Sequence, residues 1–369
     1  MDFDLTDEQE LLRDTTHDVL ARFGGVETRT AADESELGWS RAAWSRLADI
    51  GILGLGFDPE ESGPIEIMVV LTEMGRLLSP EPVAAAALIP GALIAEWGDT
   101  GQRALLDEVA EGRRLLAFAH QEPGMRAPTA AAVSTRAQRH GDSWTVSGRK
   151  NPVLAADCAD TLVVSATLPG GGVGLFLVDA AKSTRIGYRT FDGRRGAQVD
   201  LDSTPAEPLG AGGDATAPIA GAVIRFQSAL CAEAVGAMAE SLHLTCEYLK
   251  SRKQFGVLLS NFQTLTQRAA DMYVSLELAR SMNFYAAMSI ADGALDPVIA
   301  ARAKLQISRS GRHIAQESIQ LHGGIGMTAE YPVGHYAARL TAIEQTFGSP
   351  DDHVLTLAAN LAGYDTVAL

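Results

Sequence analysis

The strongest constraint on the fold is the length of the helical patterns in the second half of the chain. Apolar residues recur at helical spacing over 217–249 and 263–291 with few breakers. Residues 297–321 add a third run and 351–362 a fourth. Helices this long, joined by short loops, bury their apolar stripes against one another, so the expectation is an antiparallel four-helix bundle.

The first half reads differently. From Leu5 to about Gly112 the period is also helical. Thr6-Asp-Glu-Gln9 has the spacing of a capping box, after which Leu12, Val19, Leu20 and Phe23 share one face. Residues 65–78 are expected as a helix stopped by Ser79-Pro80, and the Ala-rich stretch 82–95 as a buried helix. From Leu115 to about Gly210, short β-branched runs at 131–137, 143–147, 161–166, 174–179 and 198–202 alternate with Gly, Asp and Pro. His140-Gly-Asp142 marks a tight turn. Pro169-Gly-Gly-Gly172 is followed by no Gly-Lys-Ser/Thr and reads as a hairpin turn rather than a phosphate loop. The chain is therefore expected to be an α+β protein. An N-terminal helical domain spans 1–114, a small, mostly antiparallel β-barrel or sandwich 115–215, and the helical bundle 216–369.

A net charge of −16 argues against nucleic acid and anionic membrane surfaces as partners, though local arginines could still collect a phosphate. Three cysteines, Cys158, Cys231 and Cys246, without CxxC spacing fit a reducing compartment. The start Met1-Asp-Phe-Asp4 is acidic, unlike a signal peptide, and the apolar run 82–95 is too short to span a bilayer. The expected location is the cytoplasm.

Domain order and specific residues together resemble the acyl-CoA dehydrogenase family over the whole chain. The chain opens Met1-Asp-Phe-Asp-Leu-Thr-Asp-Glu-Gln9, a start typical of that family. Ser251-Arg-Lys-Gln-Phe-Gly256 with Phe262-Gln263 matches a segment whose Arg, Phe and Gln contact the FAD of the neighbouring subunit. Gln320-Leu-His-Gly-Gly324 with Glu330-Tyr-Pro-Val333 matches a second segment, whose Gln and glycines approach the same flavin. The resemblance thus implies Arg252, Phe255, Gln263, Gln320, Gly323 and Gly324 as cofactor contacts. Residue chemistry agrees. The forked guanidinium of Arg252 suits a pyrophosphate, and the two glycines let backbone approach a ligand closely.

The resemblance also implies chemistry that this chain departs from. The family removes a proton beside a thioester carbonyl and passes a hydride from the next carbon to FAD, which needs a base, normally a carboxylate. Of the two places where members carry it, one corresponds here to Phe347 and the other to Phe226. The segment expected as Tyr/Cys-x-Thr-Glu-Pro-Gly-x-Gly-Ser-Asp reads Phe118-Ala-His-Gln-Glu-Pro-Gly-Met-Arg-Ala127, so Gln121 replaces the Thr. The expected Gly-x-Lys-x-Trp-Ile-Thr reads Gly148-Arg-Lys-Asn-Pro-Val-Leu154, with Pro152 and Leu154 where Trp and Thr flank the flavin ring. Groups applied to a subunit's own flavin are lost, while groups lent to a neighbour's are kept.

This pattern is similar to the small, base-lacking β subunits of heteromeric α2β2 acyl-CoA dehydrogenases in bacterial steroid side-chain and dicarboxylic-acid catabolism. That resemblance implies a catalytic α subunit as partner, an acyl-CoA thioester as substrate and an electron-transfer flavoprotein as acceptor. Two other readings stay open. One is a self-sufficient homomeric enzyme with a relocated base, drawn from Glu233, Glu344, Asp351 or Asp352. The other is a non-enzymatic scaffold. Asp351 and Asp352 also stand where they could cap a helix. His322 reads as a packing or backbone contact, and His335 and His353 have no evident common site.

Overall fold

The structure, a computed structural model, describes residues 4–23, 32, 35–126, 128–129 and 132–361. Met1, Asp2 and Phe3 of the family-like start, and Ala127 of the ring-side segment, lie outside them.

Helix α1, Asp7–Ala21, begins with the capping box expected from the sequence. Thr6 Oγ1 accepts the Gln9 N–H at 3.3 Å, and Gln9 Oε1 accepts the Thr6 N–H at 3.1 Å. Helices α2 (Arg41–Asp49) and α3 (Pro64–Arg76) follow. A π turn at Ala84–Leu88 runs into α4 (Ile89–Trp97), where Ala86, Ala87, Leu93 and Ile94 are fully buried, so the Ala-rich stretch is a core helix. Two short helices, α5 (Thr100–Arg103) and α6 (Leu105–Ala110), complete this segment.

Seven strands then form one sheet: β1 (Leu116–Ala119), β2 (Arg136–His140), β3 (Ser143–Leu154), β4 (Thr161–Thr167), β5 (Val173–Asp179), β6 (Thr184–Arg189) and β7 (Arg195–Pro208). The pairings β4–β2, β2–β3, β3–β7, β7–β5 and β5–β4 close a ring, so the sheet is a barrel, with β1 beside β4 and β6 beside β7. Val146, Leu162, Val164, Phe176 and Val199 fill it. Pro169–Gly172 is the β4–β5 turn, with Gly171 and Gly172 at φ 95° and 80°, as the hairpin reading required.

The strands differ from expectation at several points: β1 and β6 match none of the expected runs, and β3 and β7 extend beyond 143–147 and 198–202. Of the expected run 131–137, residue 131 lies outside the described residues, and β2 starts only at Arg136, because the N–H groups of Ser134 and Thr135 donate to the Glu122 carboxylate rather than to a neighbouring strand. β6 was hidden in the sequence because it is a largely exposed edge strand lacking apolar alternation.

The C-terminal part holds α7 (Thr216–Ser251), a two-residue-turn hairpin of β8 (Lys253–Gln254) and β9 (Val257–Leu258), α8 (Gln263–Ala291), α9 (Pro297–His322), α10 (Pro332–Gln345) and α11 (Pro350–Ala359). Helix α9 packs against α8, α10 and α11. Helix α10 is a fifth helix beyond the four expected. Its signal was present: Pro332 at the first turn, then Val333, Tyr336, Ala337, Leu340 and Ile343 buried at helical spacing. Helix α7 is long and apolar enough to cross a membrane, yet 78% of its most apolar window is buried within the fold, as in a core helix.

The chain divides into two compact units that cut across this order. One joins Met1–Glu27, Met68–Ser79 and Gln227–Leu369; the other joins Thr28–Ile67 and Pro80–Phe226. Within the first, α3 crosses α7 backbone to backbone. A Cβ on Gly236 would collide with the Thr72 carbonyl and lie 2.7 Å from the Arg76 nitrogen, and a Cβ on Gly75 would collide with the Glu233 carbonyl. Gly236→Ala should therefore cost about 3 kcal/mol in denaturant unfolding, the upper range for overpacking. Gly324→Ala, where a Cβ meets nothing within 4 Å, serves as the control. Equal midpoints for the two variants would contradict the crossing as described.

Candidate functional site

The residues marked by sequence as cofactor contacts fall in two segments of the first unit. Helix α7 ends at Ser251. The Arg252 carbonyl then accepts the Leu259 N–H at 2.9 Å, closing the base of the β8–β9 hairpin. Phe255 and Gly256 form its turn with φ 53° and 84°, and a Phe in the left-handed region carries strain that Gly does not. The turn holds the Phe255 ring out at 93% exposure, with its edge toward Phe262 at 6.3 Å between ring centroids. Phe262 is the N-cap of α8, so Gln263 opens that helix beside the hairpin. Gln320 lies exposed in the last turn of α9, and Gly323 ends the helix at φ 65°.

The two segments are joined through aromatic rings. Tyr248, one turn before Arg252, stacks on His322, the residue before Gly323, at 4.5 Å. Sequence reasoning missed this link; it read His322 as a packing or backbone contact, and His322 Nδ1 lies 2.7 Å from the Ser318 carbonyl.

These residues fit an anionic dinucleotide such as FAD. Arg252 is exposed and has no carboxylate partner among the described residues. Around Gly323 and Gly324 the space a side chain would fill is open. Backbone and a permanent cation are thus both presented outward.

The base positions are closed. Phe347 is 3% exposed at φ 56°, and its carbonyl accepts from Gln227 Nε2 at 2.8 Å. Phe226 on α7 is equally buried. Three of the four carboxylates proposed as substitutes, Glu233, Glu344 and Asp352, are occupied. Glu233 receives Arg339 Nε at 2.8 Å and its Nη2 at 2.6 Å. Glu344 receives Arg312 through both Nε, at 3.2 Å, and Nη2. Asp351 is exposed in the first turn of α11. The cap there is Ser349, whose N–H and hydroxyl donate to Asp352 at 3.0 and 2.6 Å, so Asp352 completes a capping box from inside the helix instead of preceding it. His335 bonds the Ala329 carbonyl at 2.9 Å and His353 packs on Gly348, each with its own surroundings. Lys304, fully buried, donates to the carbonyls of Ile343 and Glu344 at 2.7 and 3.3 Å and caps the end of α10.

In the barrel unit, the ring-side segments form a closed polar network. Glu122 accepts Lys150 Nζ at 2.8 Å, the Ser134 and Thr135 N–H groups at 2.8 and 2.9 Å, and the Thr135 hydroxyl at 2.7 Å. Lys150 also donates to the His120 carbonyl at 3.2 Å and Ser165 Oγ at 3.0 Å. Burial opposes the Glu122 charge, but Lys150 and the donors around it hold its pKa down at about 2. Burial lowers Lys150 to about 8, so the pair is charged at neutral pH. Pro152 is exposed and Leu154 half-buried, and neither offers a donor to a ring. The Gln121 backbone carbonyl accepts the Asn151 N–H at 2.9 Å, and Arg126 is exposed.

Two buried histidines predict acid sensitivity. Burial first, and then the charge of Lys150 or Lys304 respectively, lowers His120 and His353 from 6.5 to about 4. The unfolded chain therefore binds up to two more protons than the folded chain as pH falls from about 6.5 to about 4. Stability should fall over that window, by about 3 kcal/mol per histidine. Unfolding midpoints of wild type and His353→Gln across pH 7 to 4 test this. The variant should show the shallower slope, and an unchanged slope would contradict the assignment.

A family model for the acyl-CoA dehydrogenase C-terminal domain matches residues 225–362. The acyl-CoA dehydrogenase IpdE2 of Mycobacterium tuberculosis is 30% identical over 359 residues, covering 93% of this chain and 94% of the relative. The solved variant of the Tcur3481–Tcur3483 steroid ACAD superposes with a TM-score of 0.88 at 31% identity, covering 97% of this chain and 98% of that one. The ChsE4–ChsE5 complex from Mycobacterium tuberculosis shares the fold at TM-score 0.89 and 23% identity, over 99% of this chain and 100% of its own. With a relative 30% identical over 93% of its length, and a family model on its C-terminal part, the chain belongs to the acyl-CoA dehydrogenase family.

Proposed function

We propose that this chain is the base-lacking subunit of a heteromeric, FAD-dependent acyl-CoA dehydrogenase and lends flavin contacts to a catalytic partner subunit. The observation that carries this reading is a contrast. Both base positions are phenylalanines at 3% exposure, whereas Arg252, Phe255, Gln263, Gln320, Gly323 and Gly324 are all exposed. Arg252 would hold the pyrophosphate, and the glycine backbone would lie against the dinucleotide. Bound FAD would supply hydride acceptance. The proton-abstracting carboxylate would come from the partner.

The outer face of α8 supports a partner here. Beyond Gln263 it exposes Tyr273, Val274 and Leu278 at 52–57%, apolar surface on the same helix that opens beside the hairpin. A steroid-derived acyl-CoA as substrate belongs to the same proposal, supported by likeness to the steroid ACAD, and the family resemblance adds an α2β2 assembly and an electron-transfer flavoprotein as acceptor. The relocated-base reading is disfavoured by the bidentate arginines on Glu233 and Glu344.

Phe347→Glu tests the reading directly. The new carboxyl would be buried, with its pKa pushed up, and faced by no second active-site group, so single-turnover flavin reduction by acyl-CoA should report no additional reducible flavin. Extra flavin reduction from this single change would overturn the view that the ring-side pocket is also lost.

A further inference from the structure

We propose that Tyr248, His322 and Tyr331 are positioning residues: a three-ring clamp that sets the distance between the two flavin-holding segments. The proposal rests on the reading above, in which Arg252 and Gly323–Gly324 contact FAD.

The three rings touch pairwise. Tyr248 and His322 stack at 4.5 Å and 30°, His322 and Tyr331 lie at 4.9 Å and 50°, and Tyr248 and Tyr331 meet edge-on at 6.2 Å and 67°. Each ring sits at a strategic point of the chain. The Tyr248 carbonyl accepts the Arg252 N–H at 2.9 Å, so its backbone leads directly into the first segment. His322 is the last residue of α9 and immediately precedes Gly323. Tyr331 is the N-cap of α10, where the second segment ends. One clamp therefore holds the start of one flavin segment and both ends of the other.

The histidine at its centre is fixed. It is 4% exposed, its Nδ1 lies 2.7 Å from the Ser318 carbonyl, and burial lowers its pKa. One turn below, Ser241 and Ser318 hydroxyls meet at 2.8 Å and Thr245 donates to Ser318 at 3.2 Å. This polar rung sets the register of α7 against α9 and delivers Tyr248 opposite His322. The glycine loop folds back on the same residue, since a Cβ on Gly326 would lie 3.0 Å from His322 Cβ. None of the three rings need touch the cofactor; their effect on it runs through Arg252 and the glycines.

The test pairs two measurements. In the chain alone, Tyr248→Leu should raise amide hydrogen exchange at residues 323–330 about tenfold, while Tyr248→Phe, which keeps the ring, leaves it unchanged. In the assembly with the catalytic subunit, titration with FAD should give a dissociation constant about tenfold weaker for Tyr248→Leu and unaltered for Tyr248→Phe. Unchanged exchange and FAD affinity in Tyr248→Leu, or equal losses in Leu and Phe variants, would overturn the clamp. If Tyr248→Leu fails to fold, Tyr331→Leu decides by the same criteria. Arg252→Ala separates the two levels. Loss of FAD there with wild-type affinity in Tyr248→Leu refutes the clamp only, whereas full FAD affinity in Arg252→Ala refutes the site on which it rests.

Discussion

Lys150→Met is expected to lower the unfolding free energy by about 3–5 kcal/mol, because it strands a charged Glu122 in a buried site. The Lys150 side chain is 0% exposed and Glu122 5%, and the remaining Ser134 and Thr135 donors cannot neutralise the carboxylate. Removing both charges should cost much less than removing one, since a neutral pair leaves no buried ion. Denaturant unfolding of Lys150→Met, Glu122→Gln and the double variant forms the cycle that measures this. Additive losses would show that the two groups act independently, against the network described. The pH dependence has a definite sign. With Glu122 at about 2, its contribution is present above the ordinary carboxylate range and is lost only as pH falls toward 2.

Arg252→Ala carries the second large effect. A guanidinium–pyrophosphate contact is charge-assisted and forked, worth roughly 1.5–3 kcal/mol, so FAD affinity of the assembly should fall about 10- to 100-fold. Arg252→Lys should recover part of it, as a point charge without the fork. Arg126→Ala is the informative contrast. Arg126 is also exposed, but it stands in the ring-side segment that has lost its family residues, and FAD titration should find it neutral. A loss in Arg126→Ala equal to that in Arg252→Ala would mean that the ring-side pocket still holds flavin.

The parts of this molecule that local chemistry decides were legible in the sequence. The Thr6 capping box, the glycine turn at 169–172 and the long bundle helices each follow from residues within a few positions of one another. What escaped depends on distant partners. β2 begins late because Glu122 takes the N–H groups of Ser134 and Thr135. Glu233 and Glu344 could be weighed as bases only until Arg339 and Arg312 were seen on them, and nothing local predicts those pairs. The candidate flavin-side residues were singled out by pattern, but the rings that join the two segments lie far apart in sequence, on α7, at the end of α9 and at the N-cap of α10. Helix α10 is the exception, since its spacing was readable and the motif reading of that stretch obscured it.

The central claim is that this chain contributes half of a flavin site and no base. The most direct measurement is the visible spectrum and acyl-CoA dehydrogenase activity of the chain expressed alone and with a catalytic acyl-CoA dehydrogenase subunit encoded beside it. The account predicts colourless, inactive protein alone and stoichiometric flavin with activity only on co-expression. A yellow, active enzyme from this chain by itself would contradict it.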